Sequence, residues 1–429
     1  MSSAIVSRDR RLLERARRVL PGITQTYSKA PDQHVAGVYP VYLERGDGCR
    51  VWDVEGREYI DYPCALGPVL LGYRDPEVDT AVREQIDRGV SFSLGHPLEV
   101  EVAELLVEMI PCAEKVRFVK TGSEATSAAV RLGRAWTRRD HVAMCGYHGW
   151  HEWCVGHAPR NGGVPRAVRE LTHQWIYNDL ASLRRVFDEH PDRVGVVIME
   201  PIGVEEPAAG FLAAVRDLAH ERGALLIFDE IITGFRLAPG GAQELYGVTP
   251  DLAAFGKGIA HGYPLAAVVG RSDVMELITS AAFVSSTFGG DTVALAAARA
   301  TLTKVRDGAV CEHLWRQGAA IRDGFNRLAS LHEIPARMIG LPPRRVMEVT
   351  PEPGVDALAL KGLVWQGCLD RGVLLGNANF ISFAHDDGAV ARTLEVFDEA
   401  LAEAGRAYRR GTVTEALRGI PPVEVLRRP

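Results

Sequence analysis

The stretch ALLIFDEIITGFRLAPGGAQELYGVTPDLAAFGKGIAHGYPLAAVVG, residues 224–270, decides the fold. A short apolar run, Ala224 to Phe228, delivers Asp229 and Glu230 at its end. A second run, Leu252 to Phe255, delivers Lys257 between Gly256 and Gly258, and a third, Leu265 to Val269, follows. Runs this short, bounded by Gly, Pro and acidic residues, predict buried strands of a parallel sheet. Ligands gather outside the carboxyl ends of such strands. An acid and a lysine delivered to that edge are therefore candidate site residues.

Working outward, strand–turn units of the same kind recur. Val116–Val119 leads into Thr121-Gly122-Ser123-Glu124-Ala125-Thr126 and a helix to about Thr137. A helix N-terminus with free N–H groups is an anion site, and Gly122 lets the ligand approach while Ser123 adds a hydroxyl. His141–Cys145 ends in Gly146-Tyr147-His148-Gly149-Trp150-His151, and Val194–Met199 ends at Glu200-Pro201. His148 and His151 invite a metal reading, but a zinc-protease helix starting at His151 needs a second His where Val155 stands. No metal is expected there. Gly156–Pro165 is rich in Gly and Pro and predicts a mobile loop.

Lys257 and Asp229 fit one cofactor in particular. A Lys amine forms a Schiff base with a carbonyl. Pyridoxal phosphate needs that Lys, and an Asp to keep its ring nitrogen protonated so that the ring takes up electrons. An Asp can also cap a helix and a Lys can be plain surface charge, yet the chain holds only six Lys against 43 Arg. Other cofactor motifs fail. Gly256-x-Gly258-x-x-x-Gly262 has the wrong spacing for a dinucleotide turn, Asp251 stands where a P-loop needs its first glycine, and no G-x-S-x-G elbow is present.

The DEIITGFR and FGKGIAHGYPLAAVVG segments, with the motifs above, closely resemble class III (omega-type) pyridoxal-phosphate aminotransferases. Within that class the glutamate-1-semialdehyde 2,1-aminomutase-like branch is nearest. The match runs from about Leu20 to Leu401. The resemblance implies fold type I, an α/β architecture with a large domain built on a central, mostly parallel sheet and a small α+β domain drawn from both chain ends. The expected divisions are 1–70, 71–310 and 311–429. It implies pyridoxal 5'-phosphate held as an internal aldimine on Lys257, with Asp229 at the ring nitrogen and Gly122 and Ser123 at the phosphate. Tyr147 would stack on the ring, Ile231 would pack on its opposite face, and Glu200 would lie near its phenolic side. Val284–Thr292 resembles the T-F-G-G-N-P segment, whose Thr, here Thr287, reaches the phosphate of the neighbouring subunit. A homodimer with shared active sites is then expected. Asp291-Thr292 replaces the usual Asn-Pro, which puts the local turn in question.

The implied activity moves an amino group between a small-molecule amino donor and a keto or aldehyde acceptor in a biosynthetic pathway. The alternative is an aminomutase or another reaction on the same cofactor, such as epimerisation or decarboxylation. The region NFISFAHD lacks the C-terminal Arg of many omega-type relatives and resembles the aminomutase branch. Yet Thr26-Tyr27-Ser28-Lys29 replaces the aminomutase S-P-V-R, and Lys is no substitute for Arg at a bidentate carboxylate site. The loop after His151 has its counterpart in a gate of the aminomutase.

Composition agrees with an enzyme of this size. The 429 residues can bury a large core, and 47% hydrophobic with 24% charged residues is ordinary for a globular enzyme. A net charge of −6 without a polybasic stretch gives no field for nucleic acid. No apolar run is long enough to span a bilayer. The opening residues carry Arg with no apolar segment after them, so an amphipathic helix over residues 9–20 is expected rather than a secretory signal. Seven scattered cysteines predict reduced thiols in a cytoplasm. Gly48–Asp61 alternates across Glu55-Gly56 and predicts a hairpin. Val100, Ala103, Leu106, Val107 and Ile110 follow helical spacing after Pro97, and a helix over 386–403 is expected before a loosely held tail in the last 20 residues.

Overall fold

The computed structural model describes residues 7–423, so the end of the expected tail, 424–429, lies outside the described residues. Two compact units share the chain. One runs to Asp75 and resumes at His313; the other is Pro76–Glu312.

The first unit opens with helix Arg8–Val19, capped by the Ser7 hydroxyl, and continues into β1 (Leu43–Asp47), β2 (Arg50–Asp53) and β3 (Glu58–Asp61). β2 and β3 form the hairpin expected around Glu55-Gly56. Its turn closes because Asp53 accepts the N–H groups of Glu55 and Arg57 at 2.9 Å, while Gly56 takes φ +84.

The second unit carries β4 (Lys115–Val119), β5 (His141–Cys145), β6 (Thr172–Gln174), β7 (Val194–Met199), β8 (Leu225–Asp229), β9 (Leu252–Phe255) and β10 (Ala266–Gly270). They form one sheet in the order β4-β10-β9-β8-β7-β5-β6. Every residue of β5, β7, β8 and β9 is buried, as unbroken apolar runs require when both faces are covered. The helix Gly122–Thr137 lies on one face, burying Ala125, Ala128, Ala129 and Leu132. A side chain at Gly133 would sit 2.6 Å from the Val196 Cγ2 atom, so glycine sets how closely helix and sheet approach.

Two expectations are corrected. The third run of residues 224–270 is not a parallel strand: β10 is antiparallel to both β4 and β9. Only residues 256–265 link β9 to β10, with a single 3-10 turn at Lys257–Ala260. That is too short for the helical crossover a parallel neighbour needs. The helix Pro97–Met109 opens on a capping box between His96 and Glu99, but it buries Leu98, Val102, Leu106 and Met109. Val100 and Val107 are 60% and 41% exposed. Two apolar stripes share this helix, and spacing alone does not choose between them.

The chain then returns to the first unit with β11 (Ala336–Ile339), β12 (Arg344–Val349), β13 (Val373–Leu374) and β14 (Asn379–Phe380), ending in helix Asp387–Arg409. β13 adds in parallel to β3, so one small sheet takes strands from both ends of the chain. No helix among the described residues is long and apolar enough to cross a membrane. All seven cysteines are buried, and none forms a disulfide.

Candidate active site

The candidate residues of the Pro76–Glu312 unit collect where the strands of its sheet end. Asp229 is the last residue of β8 and is 5% exposed. Its Oδ1 accepts the Ile231 N–H at 3.0 Å, and its Oδ2 lies 2.8 Å from His148 Nδ1. His148 is 2% exposed, and its Nε2 lies 3.0 Å from the Cys145 carbonyl oxygen. The buried carboxylate is thus fixed by one backbone amide and one imidazole, and the imidazole by the strand it follows. The next acid, Glu230, has another task. It is fully buried, accepts from the Thr233 hydroxyl, and accepts the N–H groups of Ala242 and Gln243 at 2.8 and 2.9 Å. Burial raises its carboxyl above the usual range while these donors oppose the rise. It holds the loop after β8 against the start of helix Ala242–Tyr246.

Lys257 follows β9 at the start of the 3-10 turn and is half-buried. Its φ of 43 lies in the left-handed region, a conformation that costs a non-glycine residue about 1–3 kcal/mol and persists only where its surroundings enforce it. Beside it, a side chain at Gly256 would meet Ile231 Cδ1 at 3.0 Å, and one at Gly122 would meet the same atom at 3.1 Å. Ile231 therefore bridges the Lys257 turn and the first turn of helix Gly122–Thr137. It packs on Val119, Ala125, Ala254 and Ala266.

Thr121 caps that helix, its hydroxyl accepting the Glu124 N–H at 3.3 Å while Glu124 accepts the Thr121 N–H at 2.8 Å. Capping leaves the next hydroxyl, Ser123, to meet the loop after β5, where it accepts the Trp150 N–H at 3.3 Å. The same loop is tied down by Thr126, whose hydroxyl donates to the His148 carbonyl at 2.7 Å. Tyr147 is 38% exposed, and its N–H donates to Glu200 Oε1 at 3.3 Å. Burial, and then the Glu200 charge, push the Cys145 thiol up to about 12, so it is no nucleophile at neutral pH.

Gly122, Ser123, Tyr147, Glu200, Asp229, Ile231 and Lys257 are thus linked through a short chain of contacts. Thr287 stands apart on the exposed loop before helix Thr292–Val305, and none of the contacts just described reaches it. The Asp291-Thr292 pair keeps a well-formed turn. Asp291 Oδ1 accepts the Val293 N–H at 3.1 Å as the helix cap, and its Oδ2 lies 2.8 Å from Lys120 Nζ. Thr292 donates its N–H to the Val90 carbonyl at 3.0 Å, a bond a proline there would lack.

His148 is a partner of Asp229 that the sequence pattern alone does not reveal. One signal for it exists: a second polar side chain directly beyond the strand next but one to β8. His151 turns elsewhere, its Nδ1 lying 2.7 Å from the Ser127 hydroxyl.

The Aminotransferase class-III family pattern matches residues 32–392. The 3-aminobutyryl-CoA aminotransferase of Cloacimonas acidaminovorans is 36% identical over 407 residues, covering 93% of this chain and 97% of that protein. The glutamate-1-semialdehyde 2,1-aminomutase of Roseiflexus castenholzii is 37% identical over 433 residues, covering 94% and 99%. Among solved structures, the pyridoxal-phosphate internal aldimine form of the FumI protein of Sphingopyxis sp. MTA144 superposes with a TM-score of 0.88 at 31% identity, covering 94% and 97%. A strand-edge lysine, a buried acid and a capped helix start in one place, on a chain matched over nearly its full length, mean that this protein belongs to the class III aminotransferases, enzymes of pyridoxal-phosphate chemistry.

Proposed function

We propose that this chain is an intermolecular aminotransferase that passes an amino group from a small-molecule donor to a keto or aldehyde acceptor, with Lys257 and Asp229 as its chemical core. The observation that carries the reading is the buried Asp229 carboxylate, held by His148 and the Ile231 amide on the sheet edge that also carries Lys257.

The donor set fits pyridoxal phosphate. Its phosphate needs an anion site, and the start of helix Gly122–Thr137 with Ser123 offers one. Its ring nitrogen needs a carboxylate, which is Asp229; its ring needs flat apolar and aromatic cover, which Ile231 and Tyr147 offer. When bound, the cofactor supplies a carbonyl that condenses with amines and a ring that takes up the electron pair left by a departing proton. Lys257 Nζ would hold the cofactor covalently through its carbonyl carbon, with loss of water, and once free would move the proton at the substrate carbon. Asp229 would hold the proton at the ring nitrogen, and His148 keeps Asp229 oriented. Glu200, through the Tyr147 N–H, fixes the loop that carries the aromatic cover.

In this reading Pro76–Glu312 is the cofactor-binding domain and the chain ends form the small domain. The exposed Thr287 serves the phosphate of a second subunit, which makes the homodimer the working form. Seven buried thiols outside any disulfide support a cytoplasmic setting. Amines on the carbon β to a carbonyl are the first donors to try, because one relative is named for 3-aminobutyryl-CoA and a solved neighbour for beta-phenylalanine.

The test is borohydride reduction of the cofactor-loaded enzyme followed by peptide mass analysis, then single-turnover mixing with a donor panel. A cofactor adduct on Lys257 and stoichiometric release of a carbonyl product are expected. An adduct elsewhere overturns the Lys257 assignment. Isomerised amine with no carbonyl release favours the aminomutase reading, which the 37% identity to such an enzyme keeps in view.

A further inference from the structure

Three histidines far apart in the sequence converge at the opposite end of the large sheet from Lys257. His141 is the first residue of β5, whereas Tyr147 and His148 follow its last. His173 is the middle residue of the edge strand β6, and His190 caps the C-terminus of helix Leu180–Glu189. One ring nitrogen from each lies within 4.8 Å of the other two. His141 Nδ1 and His173 Nε2 are 2.8 Å apart, and the rings of His173 and His190 stack with centroids at 3.8 Å. His141 is 5% exposed, and its Nε2 is buried without a hydrogen-bond partner among the described residues.

Neutral imidazole is the ligating form of histidine. Three neutral imidazoles suit the borderline dications of the zinc group. Zinc–nitrogen bonds of about 2.0–2.1 Å place tetrahedral donors roughly 3.3 Å apart. The nitrogen separations here, from 2.8 Å up to 4.8 Å, bracket that spacing, so modest ring rotations would complete a site. The three histidines line one open groove together with Gly156, Arg166, Glu170 and Arg193. The arginines disfavour hard cations held by charge alone, so binding must come from directed nitrogen–metal bonds.

We infer that His141, His173 and His190 bind one zinc-class dication as a structural clamp, joining the edge strand β6 to β5 and to the end of helix Leu180–Glu189. β6 is three residues long and paired on one side only, by β5, which is where such a clamp adds most. The site is separate from the residues proposed for aminotransfer, and its test does not depend on that reading.

The experiment uses the full chain loaded with its cofactor and carrying no added polyhistidine. Equilibrium dialysis against zinc chloride, with metal analysis, should show one zinc per chain. His173→Gln and His190→Gln should each weaken uptake at least tenfold. Both positions are half-buried, and retained far-ultraviolet dichroism and cofactor absorbance would show that the variants fold. Zinc should raise the melting temperature of the parent chain and leave that of His190→Gln unmoved. Zinc-soaked crystals should give an anomalous difference peak among the three rings. Failure of the parent chain to take up zinc, uptake indifferent to both substitutions, or a peak elsewhere would each overturn the inference.

Discussion

His148 Nδ1 lies 2.8 Å from Asp229 Oδ2, and both side chains are at least 95% buried. An acid this deep is costly to hold ionised unless donors reach it, and it has two: an imidazole and the Ile231 amide. A hydrogen bond to a charged group contributes about 1.5–3 kcal/mol. Removing the imidazole by His148→Gln should therefore lower kcat by roughly 10–100-fold, at 1.36 kcal/mol per decade. Asp229→Asn should cost more, because it removes the charge itself. Steady-state kinetics with the best donor checks both; an unchanged kcat in His148→Gln would mean that Asp229 needs no positioning.

Lys257→Ala should abolish the covalent cofactor link and slow turnover by at least about 10²–10⁴-fold, the range for loss of a positioned proton-transfer group. The cofactor should still bind, because the helix start and Asp229 remain. Dialysis and absorbance separate the two effects: retained but non-covalent cofactor is the expected outcome. Full loss of binding would move the main anchoring role to Lys257.

Much of this arrangement was legible in the sequence. Short apolar runs ending in Asp229, Glu200 or a glycine turn betray buried strands, and their carboxyl ends gather the candidate site residues. Other features were not legible. The direction of β10 depends on what the linker before it can do, not on its own apolar pattern. The His148–Asp229 pair joins two strand ends separated by β7, which no local spacing encodes. Glu230, adjacent to Asp229, serves a loop instead because one step along the chain turns its side chain toward Ala242 and Gln243.

Asp291 gives a milder prediction. As an N-cap it satisfies the Val293 N–H, and it also pairs with Lys120. Asp291→Ala should cost about 1 kcal/mol of stability, the usual worth of a cap, whereas Asp291→Asn keeps an acceptor and should cost less. Urea denaturation of both variants measures the difference. Equal losses would assign the effect to the Lys120 ion pair.

The first unit should be acid-sensitive through its buried histidines. Burial, and then the Arg345 charge, push His385 down to about 3, and burial pushes His34 down to about 4. Their folded values lie below the ordinary 6.5, so the unfolded chain takes up protons first. The stability they contribute is complete above about pH 6.5 and is lost as pH falls through 4 and then 3. Asp61, raised to about 6 by burial, runs the other way and regains stability as it protonates between about pH 6 and 4. Two groups outweigh one, so urea midpoints should fall from pH 6.5 to 4, and His385→Gln should flatten the fall. A midpoint that rises over this range would show Asp61 to dominate.

Gly149 tests the geometry of the proposed anion site without touching a charged group. Its φ is +111, and a side chain there would sit 2.2 Å from Ser123 Oγ and 2.9 Å from Ser123 Cα. Rotating Ser123 would relieve the first clash, but the second involves the helix backbone itself. Gly149→Ala must therefore displace either the loop after β5 or the first turn of helix Gly122–Thr137. The strained φ and the overpacking together should cost about 1–3 kcal/mol of stability. Displacing the helix start should also weaken cofactor binding by roughly tenfold or more, one decade for each 1.4 kcal/mol. Ser123→Ala, which removes one hydroxyl and leaves the backbone in place, should do less. Adding Ser123→Gly to Gly149→Ala should rescue only part of the loss, because the clash with the helix backbone and the strained φ remain. Cofactor dissociation constants for the three variants decide the matter: a loss in Ser123→Ala as large as in Gly149→Ala would place the affinity in the hydroxyl and not in the close approach of loop and helix.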